Sequence, residues 1–194
     1  MASRWGGTLG WGRTLGWGRA KGMPPATYAS WRAEMTEQPG CPARLLAWAP
    51  TADGGLVVLS PAVLSLRSDE TWRQVGWHQI ERGGWNTETR QLRWQTYAGA
   101  RGSTALPDPA RVPEVFRERV AASLVFERFV PIEPGTDRGV VVSARRDLAD
   151  GPTRIAWHTT VTRGVSWRTP GARELADASL AALRDEYDER GSAC

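Results

Sequence analysis

Lysine is almost missing from this chain: Lys21 is its only lysine among 25 basic residues in 194. The basic side is arginine, a bias that fits a GC-rich genome better than a selected binding chemistry. Cysteine is scarce too. Cys41, beside Pro42, and Cys194, the last residue, make neither a disulfide framework nor a metal set, and both are expected as free thiols. Histidine is limited to His78 and His158, far apart and each in a predicted strand, where a solvent-facing or hydrogen-bonded role is the ordinary one. With so few histidine and cysteine ligands, a transition-metal site of common type is not expected. No stretch approaches the roughly 18 consecutive apolar residues that a membrane span needs. The N-terminus has no apolar core of a secretion signal. A cytoplasmic protein is the expectation. The phosphate-binding P-loop, the dinucleotide glycine motif after a strand and the G-x-S-x-G nucleophile elbow are all absent. No catalytic residue, cofactor or metal ligand is assigned.

The net charge of +4 is unevenly placed. Residues 1–40 hold five basic groups against two acidic ones, so they carry +3 of it. The remainder is nearly balanced, and a nucleic-acid partner needs clustered positive charge.

What is present falls into three parts. Residues 1–22 repeat a six-residue unit: Trp5-Gly-Gly-Thr-Leu-Gly, Trp11-Gly-Arg-Thr-Leu-Gly and Trp17-Gly-Arg-Ala-Lys-Gly. Frequent glycine makes ordering costly and the apolar surface is small, so a disordered arm is expected. The alternatives are an arm stacking on nucleic-acid bases or touching a membrane interface, or a transit peptide. Met23 and Met35 also offer downstream starts, which would make the repeat an expansion or an artefact of the assigned start. Residues 23–42 are rich in proline and small residues and are assigned as linker, with a short helix open to Tyr28–Met35. The folded domain is expected over residues 43–190, with 191–194 as a tail.

From Ala43 the pattern becomes strand-like. Strands are expected at Arg44–Ala49 and Leu56–Leu59 around the Asp53-Gly54-Gly55 turn, then at Val63–Leu66. The stretch Trp72–Tyr97 organises the rest and holds four of the eleven tryptophans: Trp72, Trp77, Trp85 and Trp94. It predicts an extended run, a polar reversal at Asn86–Thr89 and a strand with Leu92 and Trp94 on one face. Gly83-Gly84 fits a bulge or bend. Ala98–Ser103 is expected as a loop and Thr104–Leu106 as a short edge strand. Asp108-Pro109 predicts a helix start, with Val112, Phe116, Val120 and Leu124 as its stripe. Gly139–Arg146 and Arg154–Arg163 alternate as a second hairpin. Thr169-Pro170 opens a terminal helix with the stripe Ala176, Leu180, Leu183 and Tyr187, fading before Gly191.

Together these predict an α+β, mainly antiparallel β domain. About seven or eight short strands would form a partly open barrel or sandwich, with a late-central and a C-terminal helix. Trp48, Trp72, Trp77, Trp94 and Trp157 are expected in the core. Trp85 is the best candidate for an exposed aromatic, with Arg82, Arg90 and Arg93 clustered near it. Arg145-Arg146 at a strand end could meet an anion. The candidate partner contacts are therefore Trp85, Arg82, Arg93, Arg145 and Arg146.

The entry motif Trp72-Arg73-Gln74-Val75-Gly76-Trp77, set among antiparallel strands before a C-terminal amphipathic helix, resembles a pleckstrin-homology-like module. Arg44–Ala49, Pro113–Val120 and Ala181–Arg184 resemble a family of actinobacterial proteins with no assigned activity. The likeness covers about residues 43–189 and implies a fold rather than a reaction. Lipid-binding pleckstrin-homology domains carry a basic first loop that grips headgroup phosphates. The matching loop here, Pro50–Gly55, has no Lys or Arg and one acid. The expectation is thus a non-enzymatic binding or scaffold module with a protein partner. Nucleic-acid or membrane association through the arm is the alternative, and an enzyme with an unrecognised site is a third.

Overall fold

In the computed structural model, residues 22–37, 40, 41, 43–149 and 154–192 are described, the last three of these without side chains. The repeat arm of residues 1–21 and Cys194 lie outside them. The described chain is α+β, with three antiparallel sheets and ten strands. No sheet closes into a barrel.

The first sheet is β1 (Ala47–Pro50), β2 (Leu56–Leu59), β3 (Val63–Ser68) and β4 (Thr71–Gly76), in that order. Its two faces have different covers. Pairing puts Val58 opposite Ser65 and Ser65 opposite Gln74, so these share one face. Helix α1 (Pro25–Thr36) lies over that face. Trp31 and Met35 of α1 are fully buried against Val58, Ala62 and Val63, and Trp31 Nε1 donates to Ser65 Oγ at 3.2 Å. The segment assigned as linker is therefore in large part a core helix. Tyr28, Trp31 and Met35 fall at helical spacing on one face, and their burial outweighs the surrounding prolines. Pro25 sits in the first turn, where a missing N–H costs nothing.

The other face, with Val57, Leu59 and Leu64, meets the second sheet: β5 (Ile80–Asn86), β6 (Gln91–Thr96) and β7 (Arg101–Ala105). A 3-10 turn at Trp77–Gln79 carries the chain from one sheet to the other. The extended run expected from Trp72 is thus two strands in different sheets. Trp77 pins the crossing, fully buried with Nε1 donating to the Ser60 carbonyl at 3.1 Å. The His78 ring folds back on Gly76, where a Cβ would come within 2.7 Å of it. Gly83 faces the core in β5 after a register shift between Ile80 and Arg82. The segment Arg101–Ala105, expected mostly as loop, is the full strand β7 because it pairs with β6 throughout.

Helix α2 (Val112–Ser123) completes this core, with Phe116 edge-on to Trp77 at 5.8 Å. It starts later than Asp108-Pro109 predicts. Asp108 Oδ1 instead takes the Ala110 N–H at 3.4 Å, in a turn where Ala110 has φ +45°. Pro113 occupies the first helical turn. Leu124 leaves the helical stripe because it begins β8 (Leu124–Pro131), where it is exposed.

The third sheet orders β10 (Ile155–Val161), β9 (Gly139–Arg146) and β8. Val140, Val142 and Ala144 of β9 are buried toward helix α3 (Ala172–Ser192), which supplies Ala172, Ala176 and Leu183. Trp157 stands between Phe126 and Tyr187, edge-on to both. Helix α3 continues past Gly191, where the sequence predicts fading, and Thr169 forms the turn before it with the Ala172 N–H on its carbonyl.

Candidate functional site

Alternation along β6 divides the second sheet into two chemistries. Leu92, Trp94 and Thr96 are buried inward, while Gln91, Arg93 and Gln95 point outward. Cross-strand partners share a face. Arg82, Gln95 and Arg101 thus form one outward row, and Gly84, Arg93 and Ser103 the next. The result is a triangle of exposed arginines, Arg82, Arg93 and Arg101, above a floor of Gly84 and Ser103. A Cβ at Gly84 would meet nothing within 4 Å, so the floor is bare. The open concavity here measures about 580 Å³.

The arginines are held in place by amides. Arg82 Nη2 donates to Gln95 Oε1 at 2.9 Å, and Gln95 Nε2 donates to Glu81 Oε2 at 3.1 Å. Arg93 Nε donates to Gln91 Oε1 at 2.9 Å. Among the described residues none of the three arginines has an ion-pair partner. Glycine also shapes the inner side. Trp94 lies in a row between Gly83 and Gly102, and a Cβ at Gly102 would fall 2.1 Å from the indole.

The five sequence candidates separate. Arg82 and Arg93 lie together on the outward face, and Arg101, missed by sequence reasoning, completes it. Its signal was the alternation Arg101, Ser103, Ala105, hidden by two glycines. Trp85 is on the opposite face, half-buried against the core beside Leu92, so it does not join them. Arg146 is exposed at the end of β9, paired with Ile155 in another sheet. Arg145 is a correction: it is 5% exposed and cannot reach a partner. Its Nε donates to the Tyr97 hydroxyl at 2.9 Å, and its Nη1 donates to Ser123 Oγ at 2.9 Å and the Val120 carbonyl at 3.0 Å.

Arg145 belongs to a polar junction between the third sheet and the rest. Tyr97 stacks flat on His158 at 3.7 Å, and its hydroxyl is 2.9 Å from Ser143 Oγ. The two histidines, distant in sequence, meet here, close enough that the His78 backbone favours a proton on His158 while the His78 charge opposes it. Burial, and next the Arg145 charge, hold the His158 pKa below its ordinary value, so its neutral form is favoured. His158 Nε2 is buried with no hydrogen-bond partner among the described residues. His78 Nδ1 lies 3.3 Å from Asp147 Oδ1, within ion-pair reach but misaligned for a hydrogen bond. A cavity of about 340 Å³ opens beside His158 and Tyr97, with apolar walls from Val75, Ala98 and Ala100. The carboxylate is on one histidine and the cavity on the other, so the two do not converge on one reacting position. Among the described residues no three His, Cys, Asp or Glu side chains gather as a metal would need. No described helix is long and apolar enough to cross a membrane.

Compared with protein-family models, curated proteins and solved structures, the chain matches none.

Proposed function

We propose that the chain is a non-enzymatic binding module whose outward β5–β6–β7 face engages an acidic protein partner. One observation carries this: three exposed arginines on one sheet face with no ion pair among the described residues. Arg82 and Arg93 are already held by Gln95 and Gln91, so less side-chain entropy is lost on binding. Each exposed pair with a partner carboxylate is worth about 0.2–1 kcal/mol, which describes a weak, salt-sensitive association. The pleckstrin-homology-like resemblance joins this proposal as a fold analogy. Antiparallel strands followed by a C-terminal amphipathic helix support it.

The test is fluorescence anisotropy of a labelled twelve-residue polyglutamate with the full chain. The double variant Arg82→Glu with Arg93→Glu is expected to lose about tenfold or more in affinity, and added salt to weaken the unaltered chain. Gly84→Val raises the floor without a clash, so it is expected to weaken binding at unchanged melting temperature. Unchanged affinity in the double variant refutes the proposal.

A further inference from the structure

The outward arginines border an unfinished sheet edge. Strand β7 is the last strand of its sheet. Its pairing with β6 is bracketed by Thr96 N–H donating to the Ala100 carbonyl at one end and Leu106 N–H donating to the Arg90 carbonyl at the other. Antiparallel ladders alternate between pairs that exchange hydrogen bonds and pairs that do not. Both brackets are of the first kind, so the register makes Trp94–Gly102 and Leu92–Thr104 bonded pairs as well. The N–H and C=O groups of Arg101, Ser103 and Ala105 therefore point away from β6. The Ala105 carbonyl is taken by the Ala52 N–H at 2.9 Å. Among the described residues, that leaves the backbone groups of Arg101 and Ser103 without a partner, in the two-residue spacing that an added strand needs.

There is room for such a strand. A cleft of about 570 Å³ runs beside β7, faced by Leu66, Arg67 and Arg73 of the first sheet. The β1–β2 turn, with Thr51 and Asp53, stands at one end, on the side where Ala52 reaches Ala105. The cleft carries both signs, with Arg67, Arg73 and Arg101 set against Asp53, Asp69 and the Glu70 that pairs with Arg67. Asp53 is engaged by the Thr51 hydroxyl and the Gly55 N–H. Arg73 and Arg101 have no ion pair among the described residues.

We infer that β7 accepts an extended acidic peptide segment of the partner as an added strand, its backbone on Arg101 and Ser103 and its carboxylates on Arg101 and Arg73. This rests on the acidic-partner reading and specifies how that partner binds. Charge argues against two other occupants. Residues 1–22 of this chain hold Arg4, Arg13, Arg19 and Lys21 and no acid. A second copy paired at the same edge would set one arginine face beside another.

The probe is a fluorescein-labelled octapeptide of alternating Glu and Val, titrated into the full chain. Binding is expected, with the Arg101 and Ser103 amides exchanging with deuterium at least about tenfold more slowly when the peptide is present. Ser103→Pro removes an N–H that points away from β6, so the β6 ladder survives, and affinity is expected to fall by about tenfold or more. Arg101→Glu is expected to fall similarly. The exchange measurement uses the unaltered chain, so it decides the matter even if the proline variant fails to fold. Unchanged exchange at Arg101 and Ser103 overturns the inference. So does binding of an oligothymidine in place of the peptide, or dimerisation lost in Ser103→Pro. Should polyglutamate binding depend on Arg82 and Arg93 while the octapeptide leaves β7 unprotected, the face reading stands and the edge falls. Should polyglutamate binding ignore Arg82 and Arg93, the face reading falls, and octapeptide protection of β7 is read separately.

Discussion

Replacing Trp31 with alanine tests whether α1 is part of the folded core. Trp31 is fully buried, between the helix and the face of β2 and β3 that carries Val58 and Ser65. An aromatic of this size buries about 200 Å². At about 25 cal/mol per Å² that is about 5 kcal/mol, an upper bound because unfolded chains already bury some surface. Measured losses for Trp or Phe to Ala in cores run about 3–5 kcal/mol. The change also deletes the bond to Ser65, whose other contact is the Met35 sulfur at 3.9 Å. Leaving that hydroxyl unpaired adds about 1–3 kcal/mol, and Trp31→Phe isolates this part. The expected loss for Trp31→Ala is therefore about 4–8 kcal/mol, much of the about 5–15 kcal/mol of a whole domain. Urea unfolding followed by far-UV circular dichroism reads it directly, with the slope reporting any lost cooperativity. A loss below about 1 kcal/mol for the alanine variant would refute the docked helix. A chain begun at Met35 lacks Trp31 altogether, so it is expected to carry at least this penalty.

Two further outcomes follow from the glycine rows and the polar junction. Gly102→Ala drives a methyl into the Trp94 indole, which is boxed in by the core, and is expected to cost about 1–3 kcal/mol in urea unfolding, whereas Gly84→Val is expected to be neutral. The His158 pKa is lower folded than unfolded, so the unfolded chain binds more protons as pH falls through the ordinary histidine value of about 6.5. Stability is expected to be flat above that pH and to decline below it, and to decline less in His158→Gln. His78, Asp147, Arg145 and Tyr97 face the same junction, and Arg145→Met is expected to move the His158 proton titration upward in NMR, since it deletes a neighbouring positive charge.

Local signals survived into the structure where one face of an element decides its burial. The alternation through Val140, Val142 and Ala144 gave β9 its register, because each of those residues meets α3. The Ala176 and Leu183 spacing marked α3 for the same reason. Signals failed where two local preferences competed. Pro24, Pro25 and the run of small residues argued for a linker, yet Trp31 and Met35 at helical spacing were the stronger term once a sheet face stood ready to cover them. Asp108-Pro109 looked like a helix cap, but Ala110 turned left-handed and the helix began at Val112, with Pro113 in its first turn. The site was half legible. Arg82 and Arg93 could be read from the hairpin, but Arg101 required knowing that a glycine-bearing loop is a strand. Arg145 looked like its neighbour Arg146, because one residue in a strand is the difference between two faces. The junction of His78 with His158 joins residues eighty positions apart, and no local pattern encodes it.

The tryptophan-rich stretch has a different role from the one its sequence suggests. It is a crossing between sheets rather than one long hairpin. Trp77 holds the crossing through the Ser60 carbonyl, and Gly76 leaves space for the His78 ring to fold back. Because the chain leaves β4 there and starts a new sheet at β5, the two sheets are not continuous, and β7 ends its sheet beside the β3–β4 hairpin without pairing to it. A single closed barrel would have used that edge up. The cleft, its free backbone groups and the arginines on both sides are consequences of the break. A variant that loosens the crossing, such as Trp77→Leu, is therefore expected to weaken octapeptide binding at β7 although Trp77 does not line the cleft. Deuterium exchange would separate the two effects. Faster exchange in β5 and β6 with unchanged peptide affinity would mean that the edge does not depend on the crossing, and that this account of how the cleft is built is mistaken.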